Sequence, residues 1–388
     1  MFIKLFHKTP IAWRQLTKQK TRFAIALAGI AFADLLIFLQ LAFQAALYDS
    51  AIKPHRSLNA DLVLINPQLK TLFSVQSFSR ERLYQTLAHE KVQSVSPVYI
   101  DIAQWLNPKT RLERSILVWG VEPTTPAFNL LEVNSNLEQL KMLDRILFDR
   151  AGRPEYGTIA DTFEQTGTFE TEINGNAVKV SGLFVLGASF AADGNIITSE
   201  STFLKIFPER ESDLIEVGSI NLKPGSDVEI VQSQLEQNLP KDVLVLTVEE
   251  FAQIEKDYWA SSTGIGFIFG FGIIMGFVVG LVIVYQILYS DVSDHLPEYA
   301  TLKAMGYSDR YLVFTVMQEA FLIAVLGYFP GFILSIGLYR LTYIATMLPI
   351  SMPVSRAISV FILTVVMCFL SGAIAMRKLQ AADPADVF

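Results

Sequence analysis

The placement of its long apolar runs constrains this chain more than any other feature. One run stands near the N-terminus, at residues 23–47, and three crowd the C-terminal part, at 264–288, 311–339 and 357–376. Each is near or above the ~20 residues that cross ~30 Å of hydrocarbon at ~1.5 Å per residue. The stretch 48–263 between the first two is polar enough to fold in water. The pattern therefore predicts a membrane protein with four transmembrane helices, one plus three, and a large folded domain inserted between the first and second.

Composition agrees with two environments. The chain of 388 residues is 51% hydrophobic and 18% charged, with a mean hydropathy of +0.38. The net charge of −7 leaves no basic footprint for nucleic acid, whose phosphates need cationic side chains to replace their counterions. The single cysteine, Cys368, falls in the last apolar run, so the inter-span segment must be held by its core rather than by disulfides. The first run is far longer than the about 7–15 apolar residues of a signal peptide, and small residues such as Ala45 and Ala46 make a poor cleavage site. It is expected to stay as an anchor.

Charge sets the expected orientation. Lys4, Lys8, Arg14, Lys18, Lys20 and Arg22 precede the first span with no acidic residue among them, which places the segment 1–22 in the cytoplasm. Alternation then puts 48–263 outside, 289–310 inside, 340–356 outside and the tail 377–388 inside. Arg377 and Lys378 in the tail agree; Arg340 and Arg356 in the outer loop run against the rule, with a smaller bias than the N-terminal one. Ile11, Trp13 and Leu16 among the basic residues read either as a short amphipathic helix on the headgroup surface or as a topogenic tail alone.

Within 48–263, the spacing predicts strand at 61–65, helix at 80–89 and strand at 92–105, and again strand at 216–222, a Lys223-Pro224-Gly225-Ser226 turn with Ser226 as N-cap, helix at 228–238 and strand at 243–248. These two units, about 48–106 and 214–262, suit a compact α+β domain. The middle, 107–213, carries Asn174-Gly175-Asn176 and Asp193-Gly194-Asn195 between alternating runs, so it is expected to be a β-rich insertion with hairpins at both.

Chemistry is sparse. No G-x-x-x-x-G-K-[ST] loop occurs to cradle a nucleotide phosphate, and His7, His55, His89 and His295 lack metal-ligand spacing. The chain is expected to be no enzyme and to bind no cofactor or metal itself. Gly266, Gly270, Gly272, Gly276 and Gly280 give overlapping small-xxx-small spacings along the second span, which read as a homodimer seam or as packing against a helix of the same chain. Asp34 and Glu319 lie inside spans, where each costs about 2.5–3.5 kcal/mol at mid-membrane. They are either protonated and bonded to groups such as Tyr285 or Thr315, or face a polar crevice, in a structural or gating role.

The loop 289–310 is the most specific stretch. Pro297 suits a first helical turn, Glu298, Leu302 and Met305 fall on neighbouring turns, Gly306 suits the C-terminal cap, and Ser308 or Asp309 can start the next helix. Tyr299, Leu302 and Met305 exposed together would need a partner to cover them.

DHLPEYATLKAMGYSDRYL, from Asp294, resembles the R-x-x-E-x-A-x-L-K-A-x-G coupling loop of the FtsX-like, MacB-type ABC transporter permeases. AWRQLTKQKTRFAIALAGI, from Ala12, is similar to their N-terminal signature, ADPADVF, from Ala382, to their tail, and Glu319 followed by Gly327, Gly331 and Gly337 to their third span. The likeness runs furthest towards the DevC-type permeases of cyanobacterial DevBCA exporters. His295 stands where many relatives carry arginine, so their salt bridge at that place is not carried over.

The resemblance implies a periplasmic domain with a porter-like α/β part and an inserted β subdomain, in a homodimer in the bacterial inner membrane. It implies a separate cytoplasmic ABC ATPase that holds ATP and Mg, a periplasmic membrane-fusion adaptor, a TolC-like outer-membrane protein and contact with membrane lipids. The ATPase-coupling helix then comprises Asp294, His295, Leu296, Pro297, Glu298, Tyr299, Leu302, Lys303, Met305 and Gly306. Motion imposed there drives the periplasmic domains and expels substrate, a glycolipid by the DevC likeness. An FtsX-like protein that regulates a cell-wall hydrolase and a lipoprotein-releasing permease are the alternative readings.

Overall fold

The computed structural model describes residues 20–189 and 192–380. The proposed amphipathic segment before Lys20 and the tail from Ala382 lie outside the described residues. Among these, four helices are long and apolar enough to cross a membrane. They are α1 (Lys20–Arg56), α9 (Gly264–Asp294), α11 (Asp309–Thr346) and α12 (Val354–Gln380). Each outruns the apolar stretch that marks it, because helix continues through flanking polar turns that composition alone counts as loop. The link between the third and fourth is correspondingly shorter than 340–356, running over 347–353. Contacts divide the chain into a span unit and an inter-span unit, the second comprising 46–264 together with 345–349.

The inter-span unit is built on strands β1 (Leu62–Ile65), β2 (Phe78–Ser79), β3 (Val92–Leu106), β4 (Glu113–Val121), β5 (Arg145–Asp149), β6 (Phe169–Ile173), β7 (Asn176–Phe184), β8 (Asn195–Ser199), β9 (Leu214–Ile215), β10 (Val217–Leu222) and β11 (Leu244–Thr247). Its helices are α2 (Arg80–Gln85), α3 (Leu131–Ser135), α4 (Leu137–Leu140), α5 (Ile159–Thr166), α6 (Glu200–Ile206), α7 (Val228–Asn238) and α8 (Val248–Asp257). Nine strands form one mixed sheet in the order β11-β1-β10-β3-β4-β8-β5-β7-β6, and β2 pairs with β9 in a separate ribbon.

The middle segment 107–213 is therefore an extension of the same sheet, carrying helices of its own, rather than a sheet apart. The fifteen-residue β3 makes this possible. Its first part pairs with β10, and its far end, Trp105 and Leu106, pairs with Ile173 and Glu172 of β6. That last pairing closes the circuit β3-β4-β8-β5-β7-β6. Asn174-Gly175 turns the β6–β7 hairpin as its sequence requires, both residues having positive φ of 48° and 74°. Asp193-Gly194 turns no hairpin. The strand that follows it, β8, runs parallel to β4 and antiparallel to β5, and Asp193 instead accepts ion pairs from Arg114 and Arg153, each at 2.9 Å. The N-cap of α7 is Asp227, whose side chain accepts from Ile230 N–H, and not Ser226.

Both faces of the sheet are buried. Leu62 and Leu64 of β1 enter one core with Tyr99, Trp105 and Phe203, whereas Val63 and Ile65 enter another with Trp119, Phe128 and Phe251. A strand covered on both sides must be apolar at every position, which is why β1 reads Leu-Val-Leu-Ile without alternation.

In the span unit, α1 is the helix on which the others pack. Ala26 and Ile30 share a core with Val284 and Leu288 of α9, Ala320 and Ala324 of α11, and Met367 and Cys368 of α12. Close approach comes from missing side chains. A Cβ on Gly280 would fall 2.8 Å from that of Ala33, and one on Gly331 would fall 3.1 Å from the Ala31 carbonyl oxygen.

Candidate coupling site

The segment between α9 and α11 folds as α10 (Leu296–Ala304). Pro297 sits in its first turn beside Glu298, and Lys303 lies in its last, both matching the ends of the helix dipole. Met305 caps the helix, and Gly306 follows with φ of +92°. Gly306 N–H donates to the Lys303 carbonyl at 3.0 Å and Tyr307 N–H to that of Leu302 at 3.1 Å, the two bonds of a Schellman ending.

One face of α10 is seated. Tyr299 is buried with Val292, Val316 and Met376, and Leu302 packs against that cluster. This corrects the expectation that Tyr299, Leu302 and Met305 stand exposed together: the side chains at 299 and 302 turn back onto the span helices, and only Met305 points out, 63% exposed. Glu298 and Lys303 are exposed and Leu296 half-buried. Glu298, Tyr299, Thr301, Leu302, Met305, Tyr311 and Thr315 line a groove of about 330 Å³.

The approach to α10 is tied down by polar contacts. Asp294 forms an ion pair with Arg22 of α1. His295 is buried, and both its backbone N–H, at 3.1 Å, and its Nδ1, at 2.9 Å, bond the Asp291 carbonyl. Its carbonyl in turn accepts from Tyr299 N–H at 3.0 Å. The histidine thus bridges the end of α9 to the first turn of α10, an internal role that needs no arginine salt bridge.

Both intramembrane carboxyls are wholly buried. Asp34 accepts from Thr364 Oγ1 of α12 at 2.6 Å. Glu319 interacts with Asp291 of α9, where Leu288 packs with Ala320 and Val292 with Val316. Neither Tyr285 nor Thr315 is the partner: Tyr285 stacks on Tyr289, and Thr315 bonds the Tyr311 carbonyl one turn back. The sequence reading missed Thr364 and Asp291. A hydroxyl in a span gives little signal, but Asp291 continues the i, i+3, i+4 register of Leu288 towards His295, which extends the helix past its apolar end.

The glycine row faces its own chain over much of its length. Cβ atoms built on Gly272, Gly276 and Gly280 would collide with Gln40, Ile37 and Met367, respectively. Gly266 is half-buried, and Gly270 has nothing within 4 Å.

The last turns of α1, from Ala46, belong to the inter-span unit and pack within it. Lys53 donates to the Leu186 carbonyl, Arg56 pairs with Glu249, its Nε at 2.9 Å, and the His55 ring packs edge-on against Phe251 with centroids 4.4 Å apart. His55 Nε2 lies 3.6 Å from Glu255. The Glu255 carboxyl accepts from Thr71 Oγ1 and Trp259 Nε1, both at 2.8 Å, and from Leu72 N–H at 3.0 Å. Burial raises its pKa against the pull of these donors.

Residues 265–384, the part that holds α9 to α12, match the family of FtsX-like permease C-terminal domains. Among solved structures, the chain is similar to the periplasmic region of MacB from Actinobacillus actinomycetemcomitans, 11% identical over 51% of this chain and 94% of that one, with a TM-score of 0.36. It is also similar to the extracellular domain of the noncanonic ABC-type transporter YknZ from Gram-positive bacteria, 12% identical over 48% and 99%, TM-score 0.32. A domain of a putative permease from Porphyromonas gingivalis gives 10% identity over 50% and 89%, TM-score 0.30. Comparison with curated proteins returns no match.

Proposed function

We propose that this chain is the membrane-spanning permease subunit of an ABC exporter, working as a homodimer in the bacterial inner membrane with its termini in the cytoplasm. The observation that carries the reading is the match of residues 265–384 to FtsX-like permease C-terminal domains, in a region where a short capped helix, α10, stands between two span helices with a groove along it. A separate ATPase docks on α10 and supplies the ATP and Mg chemistry. The inter-span domain is then periplasmic and meets a membrane-fusion adaptor and a TolC-like duct. The continuity of α1 in sequence supports mechanical transmission, because its 37 residues run from Lys20 to Arg56 and its last part, with Lys53, His55 and Arg56, packs within the inter-span unit. The likeness to DevC-type permeases supports a glycolipid as cargo.

Replacing exposed Glu298 and half-buried Leu302 together with lysine tests the docking. The variant is expected to insert in the membrane at normal levels and to lose co-purification with the ATPase; retained ATPase binding would remove α10 as the docking element.

A further inference from the structure

We propose that Asp291 and Glu319 form a two-carboxyl site that binds one proton, shared between them, and that this proton keeps α10 seated on the span helices. The carboxyls come from different helices where those helices pack together, Leu288 of α9 sharing a core with Ala320 of α11 and Val292 of α9 with Val316, and the two acids interact there. Glu319 is 0% and Asp291 8% exposed. Among the described residues, no donor from outside the pair reaches Asp291 Oδ2 or either oxygen of Glu319. Three buried acceptor oxygens without a donor are costly, and two ionised carboxylates in one dehydrated site repel strongly. One proton removes both penalties, since a protonated carboxyl becomes the donor that the other lacks.

Among the described residues, the charges nearest the pair are already engaged. His295 Nδ1 lies 3.6 Å from Asp291 Oδ1 but is engaged with the Asp291 carbonyl, and Arg22 is engaged by Asp294. From α12 come Cys368, in the core with Ala320 and Ala324, and Met376 beside Tyr299. Asp34, another buried acid of the spans, differs: it has a hydroxyl donor on one oxygen, from Thr364.

The site is linked to α10 through the backbone. Asp291 holds His295 by two bonds to its carbonyl, and His295 holds Tyr299 N–H. Loss of the proton sets two charges face to face at the base of this chain of contacts, so seating of α10 weakens as pH rises. The consequence for ATPase docking rests on the function proposed above; the proton site itself does not.

The test uses the full chain in detergent, without ATPase, so failure here and failure of the docking reading are separable. Infrared difference spectra read the carbonyl stretch of buried protonated acid, and hydrogen exchange reads the protection of 296–304 against pH. The expected result is a protonated-acid band that survives Asp34→Asn and is lost in Glu319→Gln and in Asp291→Asn. Protection of 296–304 should fall by up to about tenfold per pH unit above the titration of the pair, the slope of one proton, and should be flat in both variants. An unchanged band in both variants, or protection without pH dependence in the wild type, would overturn the proposal. So would protection that rises with sodium at fixed pH while the band disappears, which would make the pair a cation site. Using two single variants guards against one failing to fold.

Discussion

The inter-span domain and the span helices bury carboxyl groups in opposite ways. In the domain, Asp149 accepts four bonds: Ala151 and Leu186 N–H on Oδ1, Gly187 N–H and Asn195 Nδ2 on Oδ2. Glu255 accepts three, and Glu216 accepts Ile100 N–H at 2.8 Å and an ion pair from Arg210. Among the described residues of the span helices, Asp291 has one oxygen without a donor and Glu319 has two. A carboxylate saturated with donors is a fixed part of a structure, since removing it orphans every donor around it. One without donors is tolerated only where its charge can change or be shared. Acids of similar burial thus serve architecture in the domain and, at Asp291 and Glu319, proton binding among the span helices.

That contrast can be broken most sharply at Asp149. Asp149→Asn places an amide against two of its four donors and is expected to cost about 3 kcal/mol in chemical denaturation of the full chain followed by tryptophan fluorescence; a loss below about 1 kcal/mol would remove the architectural role. The effect at Glu255 is smaller and depends on pH. Burial raises its pKa above 4.5, so the folded state binds the proton more tightly than the unfolded chain. Its stabilising contribution is present below 4.5 and fades as the pH climbs through the raised value. Above pH 4.5 this contribution makes denaturation midpoints lower with rising pH, against the opposite trend from buried His55, whose pKa is lowered to about 3; the slope should therefore be more positive in Glu255→Gln than in the wild type, and equal slopes would contradict this assignment. The smallest effect belongs to the membrane. Glu319→Gln at neutral pH offers Asp291 the same kind of donor as a protonated acid and should shift stability by less than about 1 kcal/mol. A loss as large as that of Asp149→Asn would erase the distinction.

The spans were legible because ~20 consecutive apolar residues have few other uses. β1, β3, β10 and β11 were legible from short apolar runs bounded by turn residues, and the Asn174-Gly175 hairpin from its demand for positive φ. What stayed hidden depends on contacts between distant residues. The pairing of Trp105 with Ile173 that closes the strand circuit has no local signature, and the same is true of Asp193, whose Asp-Gly sequence signals a hairpin while its two arginine partners fix a different path. At the candidate coupling site, the limits and caps of α10 could be read from Pro297 and Gly306. The inward turn of Tyr299 could not, since a helix of nine residues between two spans can seat any face. Neither could the pairing of Glu319 with Asp291, which requires knowing how α9 and α11 align.

The central claim is that an event at α10 moves the inter-span domains. Cys368 is the only cysteine and is buried, so a Cys368→Ala background accepts one spin label at exposed Ser135→Cys. Pulsed electron resonance then gives the distance between the two labelled domains of a dimer assembled with its ATPase. The distance distribution should shift when ATP is trapped on the ATPase, and the shift should vanish when Glu298 and Leu302 are both lysine. A distribution that stays the same with and without trapped ATP, in a complex that hydrolyses it, would contradict the account.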